Sequence, residues 1–237
     1  MLAKIVKVVL GIGCLMIPLA WAEPTLHRAG LSMTAEEALA LYGQEQNFEV
    51  WRNGRAIGTH QLRFSEENGL LRVDAHMRLH IRALAVFNYH YEYRATEWWQ
   101  EGRLQRLSVE VNDDGKRESI QAQAEDQGLR VQKAQQQRWL SQDLLTTNHW
   151  NPGILEAQEV LNTLTGEASQ LAVERLGMKR LQSTQGELEV QKYRLGAELE
   201  DTDTWYDAQG RWWGMEFSAR DKSRIRVLPK GVEADNG

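Results

Sequence analysis

Between Val73 and Ala83 the chain alternates apolar and polar residues without a break. Val73, Ala75, Met77, Leu79, Ile81 and Ala83 fall in one set, and Asp74, His76, Arg78, His80 and Arg82 in the other. Beyond Leu84-Ala85-Val86 the alternation resumes, with Phe87, Tyr89, Tyr91 and Tyr93 separated from Asn88, His90, Glu92 and Arg94. A pleated strand sends successive side chains to opposite faces, whereas a helix would mix these sets. The pattern predicts a long antiparallel hairpin with one dry, aromatic face. A turn at 84–86 sets Met77 opposite Tyr93, Leu79 opposite Tyr91, Ile81 opposite Tyr89, Arg78 opposite Glu92 and His80 opposite His90. A strand from Val73 to Ala83 spans ~36 Å at ~3.3 Å per residue, about twice the usual length, and long twisted strands coil. The sheet is therefore expected to curve.

The rest of the chain carries matching punctuation. Thr34-Ala35-Glu36-Glu37 has the form of a capping box and Gly43 a helix stop, which predicts a short N-terminal helix. From Asn47 onward Asn53-Gly54, Asn68-Gly69, Glu101-Gly102, Asp114-Gly115 and Gln127-Gly128 interrupt strand-like runs, which gives a meander of about seven strands to residue 134. Gln135-Gln136-Gln137 reads as a polar connection. A helix is then predicted over 152–165, with Asn151 as cap, Pro152 in the first position and Gly166 beyond the end. Ile154, Ala157, Val160, Leu161 and Leu164 would share its apolar face. Strand signals return afterwards, with turns at Gln185-Gly186 and Gln209-Gly210, and a polar tail occupies 229–237. The expected fold is mainly β: a curved antiparallel meander, or half-barrel, with one amphipathic helix on its concave face. Residues 47–228 would form one domain after an N-terminal segment, 23–46.

Lys4 and Lys7 precede an apolar run from Val8 to Leu19 that ends in Ala20-Trp21-Ala22. This reads as a secretory signal peptide cleaved near Ala22, and the run is shorter than the ~20 residues that span a bilayer. Cys14 is not read as a lipidation site, because Gly11 stands where a lipobox wants leucine and the apolar run continues past it. The mature chain would be periplasmic or secreted, without a transmembrane anchor. It would hold no cysteine, and loss of the two lysines takes the net charge from −5 to −7. Stability must then come from a packed core. An acidic chain without a basic cluster does not suit nucleic acid as a partner.

Candidate chemistry is sparse. His80 and His90 face one another on the polar side of the hairpin, so they are the weak candidates for a metal. His76 and His80 lie ~13 Å apart along a strand and cannot share an ion. Glu198, Glu200, Asp201, Asp203 and Asp207 crowd together but lack the glycine and terminal glutamate of a calcium loop. No nucleophile motif is present, and no signature singles out Glu92 and Glu97 as a glycosidase pair. No cofactor is implied. Eight tryptophans, at 51, 98, 99, 139, 150, 205, 212 and 213, follow the cleavage site. Adjacent Trp98-Trp99 and Trp212-Trp213 cannot both face one side of a strand, so one of each pair should meet the outer face.

Phe48-x-Val50, Asn53-Gly54, Ile57-Gly58, Tyr89 to Tyr93, Glu97-Trp98, Gly102-x-Leu104 and Trp205-Tyr206-Asp207 with Gly210 resemble the signatures of an uncharacterised family of exported bacterial proteins. The chain departs from it at Val109 to Gly115, where the family is richer in threonine. The resemblance implies a domain of unknown function and, more remotely, the curved half-barrel of periplasmic lipoprotein carriers. Fold analogy transfers no activity. The resulting expectation is a non-catalytic protein holding a lipid or other apolar ligand against Met77, Leu79, Ile81, Phe87, Tyr89 and Tyr91. The alternatives are an envelope interaction or structural module that docks a protein through exposed tryptophans, and an unconventional enzyme using His80, His90 and Glu92.

Overall fold

The computed structural model describes residues 33–83, 87–184, 186–199, 201–219 and 221–232. The segment read as a signal peptide and the turn expected at 84–86 lie outside the described residues. One helix, α1 (Ala35–Tyr42), precedes the first strands, β1 (Glu45–Arg52), β2 (Arg55–Glu67), β3 (Leu70–Ala83) and β4 (Phe87–Gln100). Then follow β5 (Arg103–Asp113), β6 (Lys116–Glu125), β7 (Gly128–Lys133), β8 (Gln136–Leu140) and β9 (Leu145–Thr146). A 3-10 turn, Pro152–Glu156, leads to β10 (Glu159–Asn162), β11 (Glu167–Ser183) and β12 (Gly186–Ala197). The last strands are β13 (Thr202–Tyr206), β14 (Trp212–Ser218) and β15 (Arg224–Pro229).

All fifteen strands form one sheet in the order β8-β7-β6-β5-β4-β3-β2-β1-β15-β14-β13-β12-β11-β10-β9. The last strand pairs with the first, Val50 opposite Val227. Consecutive strands β8 and β9 are left as the two edges. In a flat sheet they would stand ~67 Å apart at ~4.8 Å per strand. The link from Leu140 to Leu145 reaches at most ~18 Å, so the sheet must curl until its edges nearly meet. It does not close into a barrel by main-chain bonds. Side chains bridge the seam instead, with Arg138 on Glu167 at 2.6 Å and Lys133 Nζ donating to Leu164 O at 3.1 Å.

The hairpin register is the one the sequence predicts: Met77 opposite Tyr93, Arg78 opposite Glu92, Leu79 opposite Tyr91, His80 opposite His90 and Ile81 opposite Tyr89. The Asn-Gly pairs at 53–54 and 68–69 both carry positive φ, as primed turns require. The seven-strand meander is present as β1 to β7. Helix α1 also forms as expected, with Thr34 and Glu37 in a reciprocal capping box and Gly43 at φ +69°. Gly58 answers to packing rather than to a turn. A Cβ there would lie 2.0 Å from the Arg78 carbonyl oxygen, so β2 and β3 approach as they do only because it has none.

Two expectations fail. Gln135-Gln136-Gln137 is not a plain connection, because Gln136 and Gln137 pair with Lys133 and Gln132 as the edge strand β8. Nor is 152–165 an α-helix. Asn151 caps and Pro152 starts as read, but the 3-10 turn stops at Glu156. The chain then extends so that Val160 and Leu161 pair with Leu145 and Thr146 on one side and with Ser169 and Ala168 on the other. Both are fully buried, as in a strand covered on both faces. The same apolar spacing satisfies either geometry, and the pairing of β10 with two neighbours decides it. Leu164 is exposed, and Gly166 at φ +73° closes the four-residue turn between β10 and β11, its N–H donating to Asn162 O at 2.8 Å, rather than a helix. The start of the tail is tied down as well, since Val232 is buried and bridges to Ser183.

The interior is filled by the irregular segment 144–163, in which Leu144, Leu145, Trp150, Ile154, Val160 and Leu161 are buried in the main cluster. A second cluster lies apart from it. Leu181, Val190, Trp205, Leu228 and Val232 pack together there, where the β11–β12 hairpin reaches the C-terminal end of β15.

Candidate functional site

Along the inward face of the predicted hairpin, burial falls steadily toward the tip. On β3 Val73 and Ala75 are 1% and 2% exposed, while Met77, Leu79 and Ile81 are half-buried. On β4 Trp99, Glu97, Ala95 and Tyr93 are buried, while Tyr91 and Tyr89 are half-buried. The cause is topological. The β2 ladder ends at Leu79 and the β5 ladder at Tyr91, so the last residues of β3 and the first of β4 pair only with each other. At the same end Val111, Val173, Leu199 and Phe217 are also half-buried against the core. A ring of partly covered apolar side chains thus surrounds one mouth of the curled sheet. Tyr89 turns its hydroxyl to Asp113 Oδ1 at 2.6 Å, and burial pushes the Tyr91 phenol up to about 12. Of Phe87 only the backbone is described, paired with Ala83.

Beneath this mouth lies the floor, and its polar centre is Glu97. The carboxylate is fully buried and accepts four hydrogen bonds. Thr146 Oγ1 and Asn148 Nδ2 donate to Oε1 at 2.7 and 2.5 Å; Trp99 Nε1 and Trp150 Nε1 donate to Oε2 at 2.9 and 2.7 Å. Burial pushes its carboxyl above the ordinary range and the four donors pull it back. Tyr93 continues the network, its hydroxyl 2.7 Å from Asn148 Oδ1 and 2.9 Å from Thr163 Oγ1. Two further tyrosines hold the floor's backbone: Tyr206 donates to His149 O at 2.8 Å and Tyr42 to Trp150 O at 2.5 Å. They fix His149 at φ +57°, a conformation that costs about 1–3 kcal/mol when it must be imposed. Its ring stacks 6.0 Å from Trp212, and the His60 ring lies 5.9 Å from the same indole. Both imidazoles are buried with Nδ1 unpartnered.

Glu97 matches no catalytic signature in the sequence. The signal was its parity: in Tyr93-x-Ala95-x-Glu97-x-Trp99 an acid stands on the dry face of the strand. Glu92, five residues away, points outward and meets His76 Nε2 at 2.8 Å and Arg94. The two carboxylates therefore occupy opposite faces and cannot act on one bond.

The other sequence candidates separate in the same way. His80 and His90 do come together, their rings stacked 4.3 Å apart, but His80 Nε2 is engaged with Asn88 Oδ1 at 2.5 Å. Among the described residues no group of three or more His, Cys, Asp or Glu is placed to hold a metal. Glu200 of the acidic cluster lies outside the described residues, and the described acids beside it form no cage. Asp203 is taken by Lys192 at 2.6 Å and Arg194 at 2.9 Å; burial opposes its ionisation, but these cations hold its carboxyl below the ordinary range. Asp207 accepts from the backbone of Gln209 and Arg211 and from Trp213 Nε1.

The adjacent tryptophans divide as parity demands. Trp99 and Trp212 enter the main core, whereas Trp98 lies under Arg106 at 3.6 Å and Trp213 packs on the second cluster. Neither Trp98 nor Trp212 is exposed. Trp139 on β8 is, at 41%. It borders a groove of about 480 Å³ lined also by Arg103, Asp126, Gln127, Gly128 and Ser141 to Asp143. A second groove, of about 410 Å³, lies among Glu92, Arg94, Glu110 and Arg117. No helix among the described residues is long and apolar enough to cross a membrane.

A curled sheet, antiparallel except for the β9–β10 pair, with a buried polar floor and one apolar mouth defines a barrel-like β protein. The match to a family model over residues 48–230 then places it: the chain belongs to the family described as Domain of unknown function (DUF6134). Among solved structures it is similar to the crystal structure of a beta-barrel-like protein of domain of unknown function DUF1849 from Brucella abortus, with TM-score 0.56 and 9% identity over 81% of this chain and 97% of that one. At that identity the likeness concerns the fold alone. No curated protein matches the chain.

Proposed function

We propose that this is an exported, non-catalytic binding protein that holds an apolar ligand, the acyl chain of a lipid, in the mouth of its curled sheet. One observation supports it above the others: Met77, Leu79, Ile81 and Tyr91 face inward yet remain half-buried, above a floor fixed by Glu97 and Tyr93. An apolar surface left partly wet at a concave end gains roughly 25 cal/mol for each Å² that a ligand covers. The floor would limit how deep a chain can enter, so the acyl group would sit near the rim with its polar end in solvent. Export is the part of the proposal that rests on Lys4 to Ala22.

Native mass spectrometry of the purified protein, followed by solvent extraction and lipid analysis, tests the reading. Co-purifying acyl lipid, or saturable uptake of cis-parinaric acid that Leu79→Asp and Tyr91→Ala weaken, is the expected result. A protein that carries no lipid and takes up no fatty acid refutes it.

A further inference from the structure

Trp139 is the one large aromatic whose ring is openly exposed among the described residues, and its position explains why. It lies on the edge strand β8, whose other neighbour is missing; opposite it on β7 stands Arg130, which is engaged with Glu125 at 2.5 Å. The adjoining groove is polar. Arg103 and Asp143 face one another at 3.2 Å, and Ser141 Oγ accepts from the Asp143 amide, which leaves its hydroxyl hydrogen to donate. Gln142 Nε2 donates to Glu125 O and Gly128 O, which leaves its Oε1 to accept. Gly128 contributes bare backbone; at φ +132°, with a hypothetical Cβ 2.5 Å from Leu140 O, no side chain fits there.

This combination selects a ligand class. A flat apolar ring beside a row of planar acceptors and donors complements a molecule that has one C–H face and an edge of hydroxyls. The ionic balance points the same way, since one arginine against two aspartates gives no excess positive charge for an anion such as a phosphate. The volume, about 480 Å³, lies in the range of small-molecule sites. We infer that this groove binds a neutral oligosaccharide of β-linked pyranoses. One sugar ring stacks its axial C–H face on Trp139, and its hydroxyls bond to Asp126, Gln142 and Ser141. The site is separate from the apolar mouth and does not depend on it.

The test is titration of the full protein with cellotetraose and with tetra-N-acetylchitotetraose, followed by two-dimensional NMR of the tryptophan indole and backbone N–H signals. The inference predicts saturable shifts at the Trp139 indole and at the Gly128 and Ser141 amides, with Kd on the order of 1 mM for at least one sugar. Trp139→Ala should weaken binding by about tenfold or more. Trp139→Phe should retain part of it, and Met178→Ala, an exposed apolar residue elsewhere, should leave it unchanged. Binding by neither sugar, or binding that Trp139→Ala leaves intact, overturns the inference. Thermal melts of the variants confirm that each is folded, so that loss of binding is not loss of structure.

Discussion

Replacing Glu97 by alanine should loosen the floor of the sheet. The side chain is 0% exposed and its two oxygens accept from Thr146, Asn148, Trp99 and Trp150. Removing it strands four buried donors, each costing about 1–3 kcal/mol when unsatisfied. Against that stands the relief of a buried carboxylate, whose desolvation costs several kcal/mol. The four stranded neutral donors outweigh that relief, for a net loss of about 3–5 kcal/mol. At ~2–4 °C per kcal/mol for a domain of this size, the melting temperature should fall by roughly 6–20 °C. Urea and thermal unfolding measure it, with the exposed Glu110→Ala as a control expected within about 0.5 kcal/mol of wild type. Because Thr146, Asn148 and Trp150 belong to one segment, limited proteolysis of Glu97→Ala should cut between residues 141 and 151. A variant as stable as wild type, with that segment still protected, would refute the idea that Glu97 anchors it.

Two further outcomes follow from buried groups and close approaches. Burial, with a smaller contribution from neighbouring His149 and His76, lowers the His60 imidazole to about 3, and burial lowers His149 to about 4. Both bases are depressed on folding, so the unfolded chain binds more protons and stability falls as pH drops below ~6.5 toward those values. Between pH 7 and pH 5 the two together should cost about 4 kcal/mol, read from urea midpoints across pH. Glu97, raised by burial, works in the opposite direction. His60→Phe should flatten the slope, and an unchanged slope would show that these histidines do not carry it. Gly58→Ala drives a Cβ to 2.0 Å from Arg78 O, so β2 and β3 must separate at a loss of about 1–3 kcal/mol or more. Circular dichroism melts report it, and a neutral effect would show that β2 and β3 can part at this point without loss.

What the sequence made legible was whatever one buried face writes as a period. The β3–β4 hairpin could be read to the residue pair, because one wet and one dry face impose alternation and a one-residue slip would invert them. Helix α1 was legible from the reciprocal Thr34–Glu37 cap, which is local chemistry. The floor was not. Leu144 to Thr163 mixes Thr, Asn, His and Trp with aliphatics and is buried by tertiary contact, so no periodicity marks it. Its partner Glu97 lies some fifty residues away in sequence, at the other end of hydrogen bonds that no local pattern encodes. The helix misread over 152–165 has the same origin: Asn151-Pro152 is a true start signal, but Val160 and Leu161 find strand partners instead of a helical face. Of the proposed apolar residues, Met77, Leu79, Ile81, Tyr89 and Tyr91 do share one end of the inward face. That they are only half-covered required the ends of β2 and β5, which the sequence does not fix.

An acyl chain held as proposed in the mouth beside the ends of β3 and β4 would lie against Met77, Leu79, Ile81 and Tyr91. Isotope-filtered NMR of the protein with carbon-13-labelled palmitate reads those contacts. Contacts from the palmitate methylenes to Met77, Leu79, Ile81 and Tyr91, with none to Trp139, are the predicted result. Contacts confined to other surfaces, or none at saturating palmitate, would contradict it.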